Sequence, residues 1–481
     1  MPGLPFAGEA CVTIVLPAED PTLGGELPLL ELERAGFEAE LGAPVRFTTA
    51  DQVVGPRWNL VLDPQREAPP ATAWDPAERV ITSCGKDVGG LFEALNLWRT
   101  VRRRGGGSVE ARDCTDRGET IERVVREVAD TYPAFALRGL DWPAICARHD
   151  DDVRQADDTL AALQRWIAEL GDAHTWVWPG HGNLPYVLRV ADGAATFAHV
   201  AARTVAHAAG VRPAWRLTAV DDAPVDADAW LARTAAPPHS RPYLAGRRLL
   251  AGRIGEPRSL TAVGPEGREV TWQEEPAGRP PAPTVSWSQL APGTGYLRVE
   301  AWLDGDGVDE AIDAALSELN RCEQLILDLR RNPGGNLVLA SRTRDRFLRT
   351  DTTLGSIRYS VGEGRLSPPI VLTAEPAPAS KRWAGRLAVL TDELTFSSSE
   401  DFLLGLQGLE HVTVVGRPSG GGSGRPRSVR LLPGMLLTIS TALTYDRDGR
   451  CVEGAGVPVD LLVAADSSAE VDSTLEAARA L

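Results

Sequence analysis

Hydrophobic positions in the first hundred residues change from a two-residue to a three-to-four-residue period. Short β-type runs occupy 10–16, 44–49, 59–63 and 79–83, and the apolar residues of 87–101 then recur at helical spacing. This order predicts a small α/β domain that ends near the arginine- and glycine-rich linker 102–107. We place this domain at residues 1–110, and nothing in it indicates what it binds.

A helical pattern follows from about residue 117 to 171. Its last stretch places five apolar residues on one face: Leu160, Leu163, Trp166, Ile167 and Leu170. Gly171 comes directly after the last apolar position, where a glycine is a common helix C-terminal signal. His174 is therefore predicted on a loop or at the start of a strand, and the alternative is that it only caps the preceding helix.

The pattern becomes α/β again after the proline-rich segment 276–283, which we predict as a hinge. A strand at 295–299, an amphipathic helix over about 308–320 and a strand at 324–328 form one right-handed parallel unit, and similar units follow. The predicted fold class is a multidomain α/β protein whose core is a mixed sheet covered by helices.

Ser397 lies in a small-residue turn between the apolar strand 386–391 and a helix. Active sites of α/β sheets lie at the carboxyl ends of strands, and a helix N-terminus presents unpaired N–H groups there. Ser397 is thus a candidate nucleophile, with the N–H of Ser398 as an oxyanion donor. The alternative is a plain helix N-cap, with Glu400 completing a capping box.

Composition limits the possible partners. The chain has 481 residues, 43% of them hydrophobic, which is enough for about three domains. A net charge of −16 argues against nucleic acid and anionic membrane as partners. No apolar run approaches the ~20 residues of a membrane helix. The N-terminal residues lack the basic and apolar segments of a secretory signal, so the expected location is cytoplasmic.

The six cysteines are scattered along the chain, without CxxC or metal-ligand spacing. We expect reduced thiols, no metal and no cofactor.

Four blocks in order resemble the tail-specific and tricorn-type serine peptidase family. They are 170–175 (Leu-Gly-Asp-Ala-His-Thr), 325–336 with its Asp-Leu-Arg-Arg-Asn-Pro-Gly-Gly string, 395–402 around Ser397, and 448–460 around Glu453. Residues 132–135 and 139–142 add to the likeness, which covers roughly 117–465. It implies a ClpP/crotonase-like core, with 111–185 as its helical first part and 286–481 as its catalytic part.

The same resemblance assigns a PDZ-like domain to residues 186–280, on the segment 206–225. Ala214 and Trp215 stand where the family commonly has Gly-Asp, so binding of a peptide carboxylate by this domain is left open. The alternative role is a structural spacer.

The two branches of this family use different residues as the general base for the serine. One branch uses a lysine about 25 residues after the serine, but the lysines here are Lys86 and Lys381, and arginine does not deprotonate near neutral pH. The tricorn-like branch implies His174 as general base and Glu453 as its orienting acid. Since Ala173 replaces the serine of that pattern, Asp172 or a water is an alternative orienting group. Glu453 could instead be a solvated turn carboxylate.

Gly334 and Gly335 complete the predicted site. Backbone N–H groups at such a strand end can point into a shared cavity. The resemblance implies that they form the oxyanion hole together with Ser398.

The leading functional prediction is a serine peptidase that cleaves a peptide or protein substrate through an acyl-enzyme on Ser397. One alternative passes the acyl group to an amine or tailors a peptide natural product. Another is an inert ligand- or peptide-binding protein, because the family includes retinoid-binding members. Oligomeric state and endo- versus exo-cleavage stay open.

Overall fold

The computed structural model describes the chain apart from residues 1–4, 7–8, 17–33, 50–52, 54, 87, 179–181, 279–282, 304, 306, 423 and 465–471. Part of the predicted hinge 276–283 lies outside the described residues. The chain divides into two compact units. The first comprises Met1–Gly139, Arg358–Ile370 and Pro426–Ala442, and the second comprises Leu140–Ile357, Val371–Arg425 and Leu443–Leu481. The domain boundaries at 110, 185 and 280 stay predictions.

A six-stranded sheet organises the first unit. Its strands in spatial order are Val45–Thr48, Val12–Val15, Arg57–Leu62, Val80–Gly85, Ala71–Asp75 and Gly107–Glu110. Neighbours among the first four are parallel, and the last two pair antiparallel. The four predicted strands are confirmed. The sequence analysis missed the strands Ala71–Asp75 and Gly107–Glu110, and the second of these is mostly exposed.

Three helices of the first unit contribute to a core that contains Trp58 and Trp98: Arg34–Leu41, Val88–Asn96 and Trp98–Arg103. The helices Arg117–Thr131 and Phe135–Arg138 also belong to this unit. The single helix predicted over 87–101 is in fact two, separated at Leu97. The strands Arg365–Leu366, Arg427–Arg430 and Leu436–Ile439 also belong to this unit.

The second unit contains an antiparallel sheet built from residues within 186–280. Its order is Glu269–Glu274, Arg258–Val263, Arg216–Val220, Ala194–Val200 and Tyr186–Ala191, with Ala223–Pro224 paired to the third strand. The associated helices are Val205–Ala208, Ala227–Ala232 and Arg241–Leu249, and Gly182–Asn183 pairs with Ala251–Gly252. The side chains of Tyr186, Phe197 and Trp272 meet in its core.

A mixed sheet forms the rest of the second unit and positions the candidate site. Its order is Val285–Ala291, Thr294–Val299, Gln324–Asp328, Arg386–Thr391, Val412–Gly416 and Leu461–Leu462. The first pair is antiparallel and the others are parallel, so the predicted mixed α/β sheet is confirmed. Strands Gln324–Asp328 and Arg386–Thr391 are adjacent, and their carboxyl ends bring the glycine loop and the Ser397 turn together.

The second unit also contains further helices and strands. The helices are Trp142–Gln155, Thr159–Ala168, Val308–Glu318, Leu337–Asp345, Ser398–Leu406 and Ser473–Arg479, with a short 3₁₀ turn at Ala379–Lys381 and a strand at Trp176–Trp178. In the sequence, three strands each cross a boundary between the two units: Thr352–Gly362, Ile370–Ala374 and Ala442–Tyr445. Among all described helices, none is both long enough and apolar enough to cross a membrane.

Asp328 anchors the loop that follows its strand. Its carboxylate is fully buried and accepts from the backbone N–H of Arg330 at 3.0 Å and from the guanidinium of Arg330 at 2.7 Å. Arg298 approaches the same carboxylate at 3.0 Å. These partners hold the pKa of Asp328 well below its usual range, against the effect of burial. These contacts fix the end of the strand Gln324–Asp328, from which the glycine loop begins.

Candidate active site

Ser397 occupies a strained turn at the start of helix Ser398–Leu406. Its φ of 59° and ψ of −124° are unusual for a residue with a side chain. The turn is held against the loop after strand Gln324–Asp328, because the hydroxyl of Thr395 donates to the carbonyl of Leu329 at 2.9 Å and the N–H of Phe396 donates to that of Asn332 at 2.9 Å. Such strain persists only where neighbouring contacts over-determine it.

The imidazole of His174 lies at hydrogen-bond distance from this serine. Its Nε2 is 3.1 Å from the Oγ of Ser397. The ring also packs against Phe396, with ring centroids 4.4 Å apart. Burial lowers the pKa of His174 from 6.5 to about 4, so the ring is neutral at pH 7 and able to accept a proton.

Two buried carboxylates adjoin the imidazole. Asp172, Glu453 and His174 each contribute a side-chain oxygen or nitrogen, and these three atoms lie within 4.8 Å of one another. The oxygens of Asp172 accept from the backbone N–H of His174 at 2.8 Å and from the hydroxyl of Thr175 at 2.9 Å. Both acids that the sequence offered as orienting groups are therefore beside the histidine. By residue type alone, the same three groups could also hold a cation.

Arg248 supports the loop that carries His174. Its guanidinium donates to the carbonyl of Ala173 at 3.2 Å and lies over the ring of Trp176, 4.2 Å from its centroid. Burial lowers the pKa of Arg248 to about 9, whereas the nearby negative charge of Asp172 acts in the opposite direction. The sequence analysis missed this residue, because an arginine in helix Arg241–Leu249 has no local signal that links it to residue 173.

The glycine loop lies against the nucleophile turn. A Cβ at Gly334 would come within 2.7 Å of the Cβ of Ser397, and one at Gly335 within 2.1 Å of the carbonyl oxygen of Trp302. The N–H of Gly334 already donates to Asn332 Oδ1 at 2.9 Å. The N–H groups of Gly335 and Ser398 make no hydrogen bond with a described residue. The Oγ of Ser398 donates to the carbonyl of Gly335 at 3.1 Å, which ties the loop to the helix start.

Glu400, close to the nucleophile turn, is an acid whose side chain accepts several hydrogen bonds. Its carboxylate is fully buried and accepts four hydrogen bonds. The donors are the Ser419 hydroxyl at 2.6 Å and the backbone N–H groups of Gly421 at 2.8 Å, Gly422 at 2.9 Å and Ser397 at 2.9 Å.

The bonds from Gly421 and Gly422 to Glu400 hold the glycine run 420–422 close to His174 and to the residue after Glu453. A Cβ at Gly422 would be 3.0 Å from His174 Nδ1, and the N–H of Gly454, next to Glu453, donates to the carbonyl of Gly421 at 2.8 Å. The sequence analysis considered Glu400 only as a capping-box residue. The missed signal was the Ser-Gly-Gly-Gly run, which is suited to close backbone approach.

The assembled groups can perform acyl transfer. A serine hydroxyl faces a neutral imidazole, and two acids lie beside that imidazole. The glycine loop and the helix start, which are in contact, carry two N–H groups without a described acceptor. A cleft of about 700 Å³, lined in part by Gly334 and Gly335, opens beside them. All seven residues predicted for the site lie in this one region of the second unit.

Comparison with known proteins agrees with this geometry. The family model described as peptidase family S41 matches residues 293–463. A putative peptidase from Parabacteroides merdae ATCC 43184 is similar in structure, with 20% identity, a TM-score of 0.50, and coverage of 76% of this chain and 96% of that one.

Two further solved structures have a similar fold. The photosystem II D1 C-terminal processing protease has 18% identity and a TM-score of 0.50, with coverage of 76% of this chain and 97% of that one. Mature CPAF has 17% identity and a TM-score of 0.53, with coverage of 73% and 92%. The family match confirms the resemblance to tail-specific and tricorn-type peptidases. Residues 293–463 form a peptidase family S41 domain, and the protein is a serine-type peptidase.

Proposed function

We propose that the protein hydrolyses peptide bonds through an acyl-enzyme on Ser397, with His174 as the general base. The contact that carries this proposal is the 3.1 Å separation between His174 Nε2 and Ser397 Oγ. The neutral imidazole takes the hydroxyl proton as the serine attacks the scissile carbonyl, and it returns that proton to the leaving amine. Water then attacks the acyl-enzyme by the same route.

The developing oxyanion is stabilised by backbone donors in this mechanism. The N–H groups of Gly335 and Ser398 serve as the oxyanion hole, because both are without another described acceptor. The role of Gly334 is steric, since its own N–H is bonded to Asn332. The absence of a Cβ at this position lets the substrate carbonyl approach Ser397.

Glu453 is proposed as the acid that stabilises the imidazolium. Asp172 also lies beside the imidazole, but its two oxygens already hold the N–H of His174 and the hydroxyl of Thr175. Its proposed role is to shape the loop.

Residues 186–280 are proposed to act as a PDZ-like domain, supported by their antiparallel sheet and the helix Arg241–Leu249. A cytoplasmic location and the absence of a nucleic-acid partner stay predictions. The inert-binding and acyl-transfer alternatives are not favoured, because nucleophile, base and acids are all present and no feature of the described site selects an amine over water.

Replacing the nucleophile tests the proposal most directly. Ser397→Ala should lower kcat/KM on peptide or ester substrates by roughly 10³-fold or more, because no acyl-enzyme can form. Thermal melting should be nearly unchanged, and Ser288→Ala, which removes an exposed hydroxyl, should keep full activity. Undiminished turnover by folded Ser397→Ala would refute the assignment.

Replacing Glu453 and replacing Asp172 should have different effects on kcat. Glu453→Gln should lower kcat by roughly 10²-fold with little change in KM, since the neutral amide cannot stabilise the imidazolium. Asp172→Asn should change kcat far less and mainly lower the melting temperature. The measurements are kcat and KM on one ester substrate, with melting curves for both variants. The opposite ranking would assign the orienting role to Asp172.

Chelators and thiol reagents should leave the activity intact. Asp172, His174 and Glu453 are proposed as a base and its acids, so dialysis against EDTA should not change kcat. Among the cysteines, Cys114 and Cys322 are buried, and burial raises the pKa of Cys146 to about 12, which makes its thiol unreactive. A loss of activity in EDTA that zinc restores would instead identify the cluster as a metal site.

A further inference from the structure

A small cleft in the first unit is lined by four arginines. They are Arg99, Arg102, Arg103 and Arg365, and the volume of this arginine cleft is about 70 Å³. All four belong to the first unit, and the proposed peptidase mechanism uses none of them. The arginine cleft therefore needs an explanation of its own.

Three of these arginines lie on one face of the helix Trp98–Arg103. Arg99, Arg102 and Arg103 have the spacing i, i+3 and i+4, which brings side chains of a helix next to one another. The fourth, Arg365, comes from the short strand Arg365–Leu366, which pairs with the end of strand Thr352–Gly362. Like charges at such spacing are destabilising, so this arrangement requires negative charge nearby.

Two of the arginines already have counter-ions. Arg99 binds the carboxylate of Glu40 at 2.7 Å, and its guanidinium also donates to two backbone carbonyls at 2.8 and 2.7 Å. Arg103 binds the carboxylate of Glu127 at 2.6 Å and also that of Asp130. These bonds fix both guanidiniums as walls of the arginine cleft.

Arg102 has donors that the rest of the protein does not use. Within the described residues, the one hydrogen-bond acceptor of its guanidinium is the backbone carbonyl of Glu40 at 3.3 Å, and the side chain is half-buried. Burial lowers the pKa of Arg102; the carboxylate of Glu40 opposes this effect, and the charges of Arg99 and Arg365 add to it. Since Glu40 already binds Arg99, its single charge is shared between two guanidiniums.

The carboxylates in the lining do not balance the four guanidiniums. They belong to Asp130, which is bound to Arg103, and to Glu363, which is exposed to solvent. An exposed charge is screened by water and salt, so Glu363 offsets little of the repulsion between Arg102 and Arg365. A half-buried cation with unused donors is unfavourable, and a bound anion offsets that cost.

We propose that Arg102 and Arg365 bind a phosphate group in the arginine cleft, either as inorganic phosphate or as part of a phosphate monoester. Neighbouring guanidiniums suit a phosphate group, because each can donate two N–H···O bonds to its oxygens. A volume of about 70 Å³ equals that of roughly two waters at ~30 Å³ each, so the arginine cleft holds the phosphate group and an ester substituent extends into solvent. This site is independent of the peptidase function.

The ligand is expected to be a small molecule. The chain carries a net charge of −16, which repels polyanions such as nucleic acid and anionic membranes at long range. A single phosphate group presents far less negative charge and requires only the local positive charge of the arginine cleft.

Calorimetric titration of the full-length protein with inorganic phosphate and with glycerol 3-phosphate tests the proposal. At least one of them should bind saturably and raise the melting temperature with its concentration, and the affinity should fall at high salt. Sodium chloride at the same ionic strength and glycerol are the controls, and neither should produce this shift. Binding of inorganic phosphate alone identifies the free ion as the ligand, whereas binding of glycerol 3-phosphate identifies a monoester.

Arg102→Gln and Arg365→Gln should each weaken the binding of the phosphate probe by about tenfold or more, because each removes hydrogen bonds between opposite charges. Arg104→Gln is the matched control. It removes a positive charge directly after the same helix, but Arg104 is exposed and lies outside the lining of the arginine cleft. This control should bind phosphate as the wild type does.

Melting curves without ligand check that each variant is folded. Arg365 is exposed, so its variant should fold and decides the test if Arg102→Gln does not. The site would be overturned if neither probe bound beyond the chloride control, or if folded Arg365→Gln kept the wild-type affinity. An equal loss of affinity in Arg104→Gln would also overturn it, because the attraction would then depend on net charge rather than on the arginine cleft.

Discussion

The carboxylate of Glu400 connects the groups on which the active site depends. It accepts from the N–H of the nucleophile and from two glycines of the run that lies against His174. That run in turn accepts a hydrogen bond from Gly454, beside Glu453. Burying an unpaired carboxylate costs several kcal/mol, and hydrogen bonds to a charged group contribute about 1.5–3 kcal/mol each. Four such bonds offset part of this cost, and burial still raises the pKa of Glu400 to about 7. The two carboxylate oxygens nevertheless hold four donors from three segments of the chain in one arrangement.

Strain at Ser397 is compatible with folding for a related reason. A residue in such a backbone conformation costs of order 1–3 kcal/mol. Thr395 and Phe396 bond to the loop after Asp328, and Asp328 itself is held by Arg298 and Arg330. The strained turn follows the strand Arg386–Thr391 and is bonded to the loop after the neighbouring strand Gln324–Asp328, so hydrogen bonds hold it from both sides. Its hydroxyl is already at the histidine before substrate binds.

The part of the site closest to the mixed sheet was the most predictable. Strands 324–328 and 386–391 have the bounds that their apolar runs predict, since a strand buried on both faces reads as a continuous apolar segment. Ser397 follows one of these strands directly. The single helix predicted over 87–101 was wrong, because helical periodicity persists across the break at Leu97.

By itself, the sequence determined the α/β class, the order of the four motif blocks and the candidate residues Ser397, His174 and Glu453. Local periodicity and residue chemistry are sufficient for these. Only the tertiary structure decided that both Asp172 and Glu453 adjoin the imidazole, that Gly334 has no free N–H, and that Arg102 and Arg365 line one cleft. Such contacts join residues dozens to hundreds of positions apart, and a local pattern contains no information about which distant side chains will share a buried space.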